Sequence, residues 1–250
     1  MANVKINPEG KVAFVSGSNR GIGKAIVIEL LERGAKKVYA GARNTASLEE
    51  LQNKYGERLE PVTLDVTDDQ SIQAATAKVE NLDILVNNAG IFAAGGIFSE
   101  NANSSLQTNL DVNLWGVIKL SNAVADKIKQ PKETAIINIS SVAGLGNMPM
   151  AATYSVSKAA VHSLTQGMRA ELVNDNTLVM GVYPGPIDTD MARDIPMQKD
   201  SPENVAKNIV QGLENGSDDV FPDVMSKDIG AAYASNPKGI EQQFGTFVAQ

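Results

Sequence analysis

The stretch Lys11–Gly23, KVAFVSGSNRGIG, joins a short apolar run to a glycine-rich turn. The apolar run predicts a buried strand over Lys11–Ser16. After the turn, apolar residues recur at helical spacing and predict a helix from about Ile22 to Arg33, with Gly34 at its C-cap. Glycines in such a turn let backbone N–H groups approach an anion at the helix N-terminus. The segment therefore predicts the first strand–turn–helix unit of an α/β fold.

The alternation of short strands and longer helices continues along the chain. Further strands are predicted at Lys37–Ala40, Leu59–Leu64, Asp83–Val86, Thr134–Ile139, Thr177–Val182 and near Val220–Phe221. Helices are predicted at Ser47–Tyr55, Ser71–Glu80, Ser104–Lys129, Thr153–Leu172 and from Ser201-Pro202 to Gly216. Continuous apolar strands with helical crossovers predict a parallel sheet of about seven strands, covered by helices on both faces. We expect residues 1–250 to form a single domain with a doubly wound, Rossmann-like fold.

The composition excludes several kinds of catalytic and binding site. The 250 residues contain no cysteine, which excludes disulfides, cysteine-ligated metals and thiol nucleophiles. His162 is the one histidine, so metal sites with several histidine ligands are excluded and no metal is expected. A formal net charge of −7 without a basic run argues against a nucleic-acid partner or a membrane surface. No signal sequence or membrane span is visible, so a cytoplasmic location is expected.

The glycine turn is spaced as GxxxGxG and directly follows the first predicted strand, which favours a dinucleotide site. A site for NAD usually has an acidic residue after the second strand, but that strand ends here in AGAR. Arg43 lies at this point and Arg20 lies inside the glycine turn, so both guanidinium groups could pair with a 2′-phosphate. The sequence therefore predicts NADP(H) as the preferred cofactor, with NAD(H) as the alternative. The alternative interpretation is that both arginines are ordinary solvated surface residues that bind no phosphate.

A second group of polar residues falls where the predicted strands end. Tyr154 and Lys158 are four residues apart on a predicted helix and share a face. A phenol has a pKa of about 10, which a neighbouring positive charge lowers. Ser141 follows the fifth strand, with Ser140 as its alternative, and Asn113 interrupts an apolar helix pattern. Ligands of open α/β sheets bind at the carboxyl ends of the strands, so these residues are expected to share one site.

Taken together, these motifs resemble the short-chain dehydrogenase/reductase family in its single-domain form. The resemblance runs from Lys11 to about Met191 and includes GSNRGIG, NNAG at 87–90 and PGPIDT at 184–189. It implies cofactor contacts at Gly17, Ser18, Asn19, Arg20, Gly21, Ile22, Gly23, Arg43, Asp65, Val66, Asn88, Ala89, Gly90, Tyr154, Lys158, Pro184, Gly185, Ile187 and Thr189.

The resemblance also implies a role for each member of the second group. Tyr154 would act as general acid or base, and Ser141 would hold the substrate oxygen. Lys158 would bind the nicotinamide ribose and lower the pKa of Tyr154, while Asn113 would hold a water that relays protons. The implied function is an NADP(H)-dependent oxidoreductase that interconverts a ketone or aldehyde and an alcohol, with a substrate site built from the C-terminal part of the domain. The alternatives are a non-catalytic NADP-binding regulator or scaffold and, less favoured by the glycine spacing, an epimerase or dehydratase.

Several other residues have no assigned role in that chemistry. His162 is expected to be structural, and Met148 and Met150 either line an apolar pocket or pack in the core. The acidic pairs Asp188/Asp190 and Asp218/Asp219 are expected to be solvated loop groups. A homodimer or homotetramer is expected, because both long predicted helices carry apolar faces. The tail after Met191 departs from the commoner family pattern, which puts a tetramer in doubt.

Overall fold

The computed structural model describes residues 4–130 and 132–248. Seven strands form one parallel sheet in the order β3-β2-β1-β4-β5-β6-β7. The strands are β1 Val12–Ser16, β2 Lys37–Ala42, β3 Leu59–Thr63, β4 Ile84–Asn87, β5 Thr134–Ile139, β6 Thr177–Val182 and β7 Asp219–Val220. This topology confirms the predicted doubly wound, Rossmann-like sheet.

Helices cover both faces of the sheet. They are α1 Gly21–Glu32, α2 Glu49–Tyr55, α3 Asp69–Lys78, α4 Ala102–Leu110, α5 Gly116–Ala123, α6 Ala125–Ile128, α7 Ala152–Glu171, α8 Pro202–Asn215, α9 Val224–Ser235 and α10 Pro237–Phe244. Strand β1 shows how the two faces arise, because its side chains alternate between them. Ala13 and Val15 pack in a core with α1 and α8, whereas Phe14 packs in a second core with α3 and α5. Burial on both faces explains the continuous apolar runs of the strands.

Local sequence signals set several helix ends. Asp68 accepts a hydrogen bond from the backbone of Gln70 at the start of α3, and Ser201 accepts one from Asn204 at the start of α8. Gly216 ends α8 with a left-handed backbone at φ +71°. The predicted boundaries of these helices therefore lie close to the observed ones.

The prediction of one continuous helix over Ser104–Lys129 is wrong, because the observed helical segment is interrupted. The chain forms α4, then a π-helical turn at Asp111–Trp115, then α5, and a break at Val124 separates α6. The π turn contains Asn113, whose side chain bonds to the backbone of the loop after β4. Those bonds hold the side chain toward the sheet, and π turns of this kind are frequent at functional sites.

The C-terminal tail folds into the two helices α9 and α10 after the short strand β7. Asp223 and Ser226 form a capping box that begins α9. Ile229, Ile240 and Phe244 pack with Val142 and Tyr183 in a third apolar cluster, beside the loop that follows β5. The tail is thus packed against the edge of the sheet where the strands end.

Candidate active site

A cavity of about 410 Å³ lies at the carboxyl ends of the central strands. It spans the junction between β1 and β4, where the strand order reverses, which is the usual ligand position in this kind of sheet. The predicted site residues that line it are Gly17, Asn19, Arg20, Gly21, Ile22, Gly23, Arg43, Asp65, Val66, Asn88, Ala89, Gly90, Ser141, Tyr154, Lys158, Pro184, Gly185, Ile187 and Thr189. Ser18 and Asn113 are the two predicted residues outside this lining.

The glycine turn at the start of α1 is held rigidly against the loop after β4. Gly17 has a left-handed backbone at φ +67°. A Cβ atom on Gly23 would lie 2.2 Å from the carbonyl oxygen of Gly17, so no larger residue fits. Asn88 Nδ2 donates hydrogen bonds to the carbonyl oxygens of Ser16 and Gly17 at 2.9 and 3.0 Å. The turn is therefore preorganised and leaves the N-terminus of α1 open to the cavity.

Ser18 does not present its side chain to the cavity, although the sequence predicts a cofactor contact there. The side chain is fully buried, and its Oγ donates to the carbonyl oxygen of Val15 at 2.5 Å. Its backbone N–H donates to the carbonyl oxygen of Gly41 at 3.0 Å. Ser18 thus closes the turn onto β1 and β2, and a cofactor contact at this residue stays a prediction.

Ser141 and Tyr154 come together at the wall of the cavity, where burial raises the pKa of the Tyr154 phenol and the neighbouring Ser141 hydroxyl offsets part of that rise. Ser141 also caps the short helical turn Val142–Gly144 by accepting from the backbone of Ala143. Ser140, the alternative, donates its Oγ hydrogen to the carbonyl oxygen of Lys158 at 2.9 Å and is buried. Of the two serines, Ser141 is the one whose hydroxyl meets the tyrosine.

Burial dominates the electrostatics of the tyrosine and the lysine. It raises the pKa of Tyr154 to about 12, and it lowers the pKa of Lys158 to about 8, because both charged forms are poorly solvated there. The resemblance implies a lowered pKa for Tyr154, but burial raises this pKa instead. The ammonium of Lys158 lies 5.7 Å from the centroid of the Tyr154 ring and is hydrogen-bonded to the Ile139 carbonyl. A tyrosine in this state keeps its proton at neutral pH.

Asn113 supports the site from behind the cavity wall. It is 1% exposed; its Oδ1 accepts from the Ile91 N–H at 2.8 Å and its Nδ2 donates to the Ile91 carbonyl at 3.0 Å. Nδ2 also donates to Ser157 on α7 at 3.0 Å. The side chain therefore ties the loop after β4 to the helix that carries Tyr154 and Lys158.

Asn109 does the same one helical turn earlier, and sequence reasoning missed it. Its Oδ1 accepts from the Ala93 N–H at 3.0 Å and its Nδ2 donates to the Ala93 carbonyl at 2.8 Å. Nδ2 also reaches Thr153 at 3.3 Å. The available signal was a second asparagine four residues before Asn113 in an otherwise apolar helix pattern.

The two arginines predicted to select the cofactor both line the cavity, but their surroundings differ. Arg43 is exposed at the end of β2 and helps to lower the pKa of Asp65, which the hydrogen bonds from Thr67 lower most. Arg20 forms an ion pair with Asp190 at 3.0 Å, and Arg193 pairs with the other oxygen of that carboxylate. Asp190 was expected to be a solvated loop group; it is exposed but paired with both arginines, because the loop after β6 folds against the glycine turn.

The remaining candidates are placed as follows. His162 Nδ1 lies 2.7 Å from the Tyr183 hydroxyl, and burial lowers the pKa of His162, in accord with a structural role. Asp219 accepts from Arg169 at 3.0 Å, so it too is paired rather than free in solvent. Met148 lines the cavity, whereas Met150 lies outside its lining and is 52% exposed.

Residues 4–130 and 132–248 contain no cluster of three or more His, Asp or Glu side chains placed to hold a metal ion. Across the same ranges, no helix combines the length and the apolar character needed to cross a membrane.

Comparisons with known proteins agree with this geometry. The sequence model of the short chain dehydrogenase family matches residues 11–200. The 3-oxoacyl-(acyl-carrier-protein) reductase FabG of Aquifex aeolicus is 36% identical over 195 residues, which cover 75% of this chain and 78% of the relative. A solved short chain dehydrogenase from Burkholderia cenocepacia, in complex with NADP, superposes with a TM-score of 0.89 at 32% identity, over 96% of this chain and 99% of that one.

A second solved structure is related in fold and binds a small anion. It is a gluconate 5-dehydrogenase from Burkholderia cenocepacia in complex with NADP and tartrate. It superposes with a TM-score of 0.79 at 26% identity and covers 91% of this chain and 99% of that one. With a family match that spans the glycine turn, the tyrosine and the lysine, the chain belongs to the short-chain dehydrogenase/reductase family of oxidoreductases.

Proposed function

We propose that the protein is an NADP(H)-dependent oxidoreductase that interconverts a ketone or aldehyde and an alcohol, with Tyr154 as the acid–base group. The observation that carries the proposal is the meeting of Ser141 and Tyr154 at the wall of a cavity that also contains the glycine turn. A proton donor and a hydrogen-bond donor then converge on one point, as reduction of a carbonyl oxygen requires.

The residues of the cavity fit a dinucleotide cofactor. Three glycines clear space at the N-terminus of α1, where Cβ atoms on Gly17 and Gly23 would collide with backbone or with Asn88. The exposed guanidinium of Arg43 lies at the end of β2, where a 2′-phosphate would sit. Following the family pattern, Asp65 and Val66 would border the adenine, Asn88 the adjoining ribose, and Ile187 and Thr189 the carboxamide.

The reaction divides between the cofactor and the chain. NADPH supplies the hydride when it is bound. Tyr154 donates its phenol proton to the carbonyl oxygen, and Ser141 donates a hydrogen bond to the same oxygen. Lys158 holds a positive charge beside the phenolate that forms, and water near Asn113 returns the proton to Tyr154. Because burial raises the pKa of Tyr154 to about 12, the phenol is already in the protonated form that reduction needs.

The decisive experiment follows NADPH oxidation with a panel of ketones and aldehydes. Tyr154→Phe should lower kcat/KM by about 100-fold or more, since the proton donor is lost and the ring is kept. Binding of NADPH, measured by its fluorescence, should change little in the same variant. Near-normal turnover by Tyr154→Phe would contradict the proposed role. Cofactor binding without hydride transfer to any carbonyl would favour a non-catalytic regulator instead.

Cofactor preference has its own test. Arg43→Ala should raise the Kd for NADPH by about 10-fold or more and leave the Kd for NADH nearly unchanged, because only NADPH carries the phosphate. Equal losses for the two cofactors would show that Arg43 does not read the phosphate.

We also propose that the chain forms a homo-oligomer through α5, the π turn and α7. Trp115 is 48% exposed and Val156 is 37% exposed on this surface, which leaves apolar side chains for a second copy to cover. Light scattering should give the mass of a dimer or larger, and Val156→Lys should reduce it.

A further inference from the structure

The walls of the cavity differ in charge from one side to the other. Charged side chains line it around the glycine turn and the ends of β2 and β3, and beside that turn Arg20 is already paired with Asp190. Beyond Tyr154 the lining changes to aliphatic and aromatic side chains from three segments: the loop after β4, residues 142–151 and the loop after β6. We call these residues the apolar wall: Ile91, Phe92, Val142, Ala143, Met148, Ala151, Met191, Ala192 and Ile195.

The apolar wall reaches the reacting group itself. The ring of Phe92 meets the ring of Tyr154 edge-on, with centroids 5.0 Å apart. The side chains of Ser141 and Tyr154 both line the cavity on this side. The Ser141 hydroxyl is 3.3 Å from the Pro184 carbonyl, a longer bond than the 2.9 Å bond between the Ser140 hydroxyl and the Lys158 carbonyl. Polar recognition is therefore concentrated at one point, the position of the substrate oxygen.

The apolar surface continues outward past the cavity mouth. The Thr153 N–H donates to the Gly95 carbonyl at 3.1 Å, and the Met150 N–H donates to the Phe247 carbonyl at 3.0 Å. These bonds hold the loop after β4 and the C-terminal tail against the segment that begins α7. Ile97 and Met150, in the segments so joined, are 50% and 52% exposed. Exposed apolar side chains at the mouth of a pocket favour a ligand that is itself apolar.

We propose that the substrate is an uncharged ketone or aldehyde that carries an extended apolar chain or ring system. This inference rests on the proposed carbonyl reduction and names its substrate class. A carboxylate placed against the apolar wall would lose its hydration, and none of the side chains of that wall carries a positive charge to compensate it; Arg193, in the same loop, is paired with Asp190. Sugar acids such as the substrate of the gluconate 5-dehydrogenase relative are therefore excluded from the expected class.

The experiment compares matched pairs of carbonyl compounds with NADPH. Straight-chain 2-ketones of increasing length, and a bicyclic ketone, are measured against keto acids in which a terminal carboxylate replaces the terminal methyl group. For the ketones, kcat/KM should rise about threefold for each added methylene until the wall is filled. Each keto acid should be at least about 10-fold poorer than its matched ketone.

Ile195→Lys tests the wall directly, since it places a cation inside the cavity. The variant should improve kcat/KM for the keto acids and lower it for the ketones. Met197→Lys is the matched control, because Met197 lies two residues further along the same loop and outside the cavity lining. This variant should keep the wild-type preference for ketones over keto acids. A wild-type preference for keto acids, or an unchanged preference in Ile195→Lys, would overturn the inference and leave the proposed function standing. No hydride transfer to any compound would overturn both.

Discussion

The Nζ atom of Lys158 lies 5.7 Å from the centroid of the Tyr154 ring and 2.9 Å from the carbonyl oxygen of Ile139. The two side chains have pKa shifts in opposite directions, to about 8 for Lys158 and to about 12 for Tyr154. A single cause explains both, because surroundings that exclude water disfavour the ammonium as well as the phenolate. At neutral pH the pair is thus an ammonium beside a neutral phenol, the combination that the proposed carbonyl reduction needs.

Activity should fall as Lys158 loses its proton. The ammonium is present below about pH 8 and is lost above it, whereas Tyr154 stays protonated until about pH 12. The profile of kcat/KM for NADPH reports ionisations of the free enzyme and should therefore decline above about pH 8. Lys158→Met should have low activity at every pH and no inflection. A wild-type profile that stays flat through pH 9 would contradict this assignment.

The same buried charge should destabilise the folded protein. Burial lowers the pKa of Lys158 from its ordinary 10.5 to about 8. Below pH 8 the lysine is charged in the folded state, and its buried charge lowers the free energy of unfolding by about 3 kcal/mol. Lys158→Met removes that cost and also a hydrogen bond worth about 1 kcal/mol, so a net gain of about 2 kcal/mol is expected at pH 7. As pH rises from 8 to 10.5 the wild-type lysine neutralises in both states and the gain disappears.

Urea unfolding of wild type and Lys158→Met at pH 7 and near pH 10.5 measures this difference. Lys207→Met is the control, because Lys207 is exposed on α8 and its removal subtracts the same charge without any burial. An equal gain in both variants would assign the effect to net charge instead of burial.

Asp190→Asn should strengthen NADPH binding. The carboxylate of Asp190 now pairs with Arg20 and Arg193, and it adds a negative charge beside the proposed phosphate position. Exposed ion pairs of this kind contribute little, so the Kd for NADPH should fall by no more than about fivefold. NADH should bind as before. Isothermal titration measures both, and an unchanged or weaker NADPH affinity would show that Arg20 does not face the phosphate.

A glycine that packs against α7 gives a test of the proposed site geometry. A Cβ atom on Gly144 would lie 2.7 Å from the carbonyl oxygen of Lys158 and 3.1 Å from the backbone nitrogen of Ala159, and this helix backbone cannot move aside as a flexible side chain could. Gly144→Ala should displace α7 and lower kcat/KM by about 10-fold or more, since small misplacements of reacting groups are costly. Gly167→Ala on the same helix meets no atom within 4 Å and should instead stabilise the protein by about 0.5–1 kcal/mol. Similar effects in both variants would refute the steric argument.

Most of the fold and much of the site could be predicted, because both depend on local patterns. The strands β5 and β6 begin and end at the predicted residues, since each is a short run rich in β-branched and apolar residues. Residues as distant in sequence as Gly17 and Tyr154 meet because parallel strands end at one edge of the sheet. This position of the ligand site can be predicted from the order of the strands alone. The predicted residues follow strand ends, so they lie around one cavity.

What the sequence did not predict depends on contacts between distant segments. The π turn at 111–115 exists because Asn109 and Asn113 reach the backbone of the loop after β4. The backbone of Ser18 is bonded to Gly41 of β2, and its buried side chain is bonded to Val15, so the hydroxyl does not line the cavity. The tail helices follow from packing against Val142 and Tyr183, although the Asp-x-x-Ser capping box at 223–226 was a readable local sign. Hydrophobic periodicity predicts none of these three sets of contacts.

Asn109 offers the last prediction, since it holds the loop that carries Phe92 without lining the cavity itself. Asn109→Ala leaves the N–H of Ala93 without its partner, while the carbonyl of Ala93 keeps only the bond from the Thr153 hydroxyl, so the free energy of unfolding should fall by about 1–2 kcal/mol. The displaced loop belongs to the apolar wall, so KM for an apolar ketone should rise while the Kd for NADPH stays near the wild-type value. Asn122→Ala, at an exposed position on α5, should change neither. If NADPH binding weakens as much as ketone binding in Asn109→Ala, the loop would serve the whole cavity and the division between its two sides would fail.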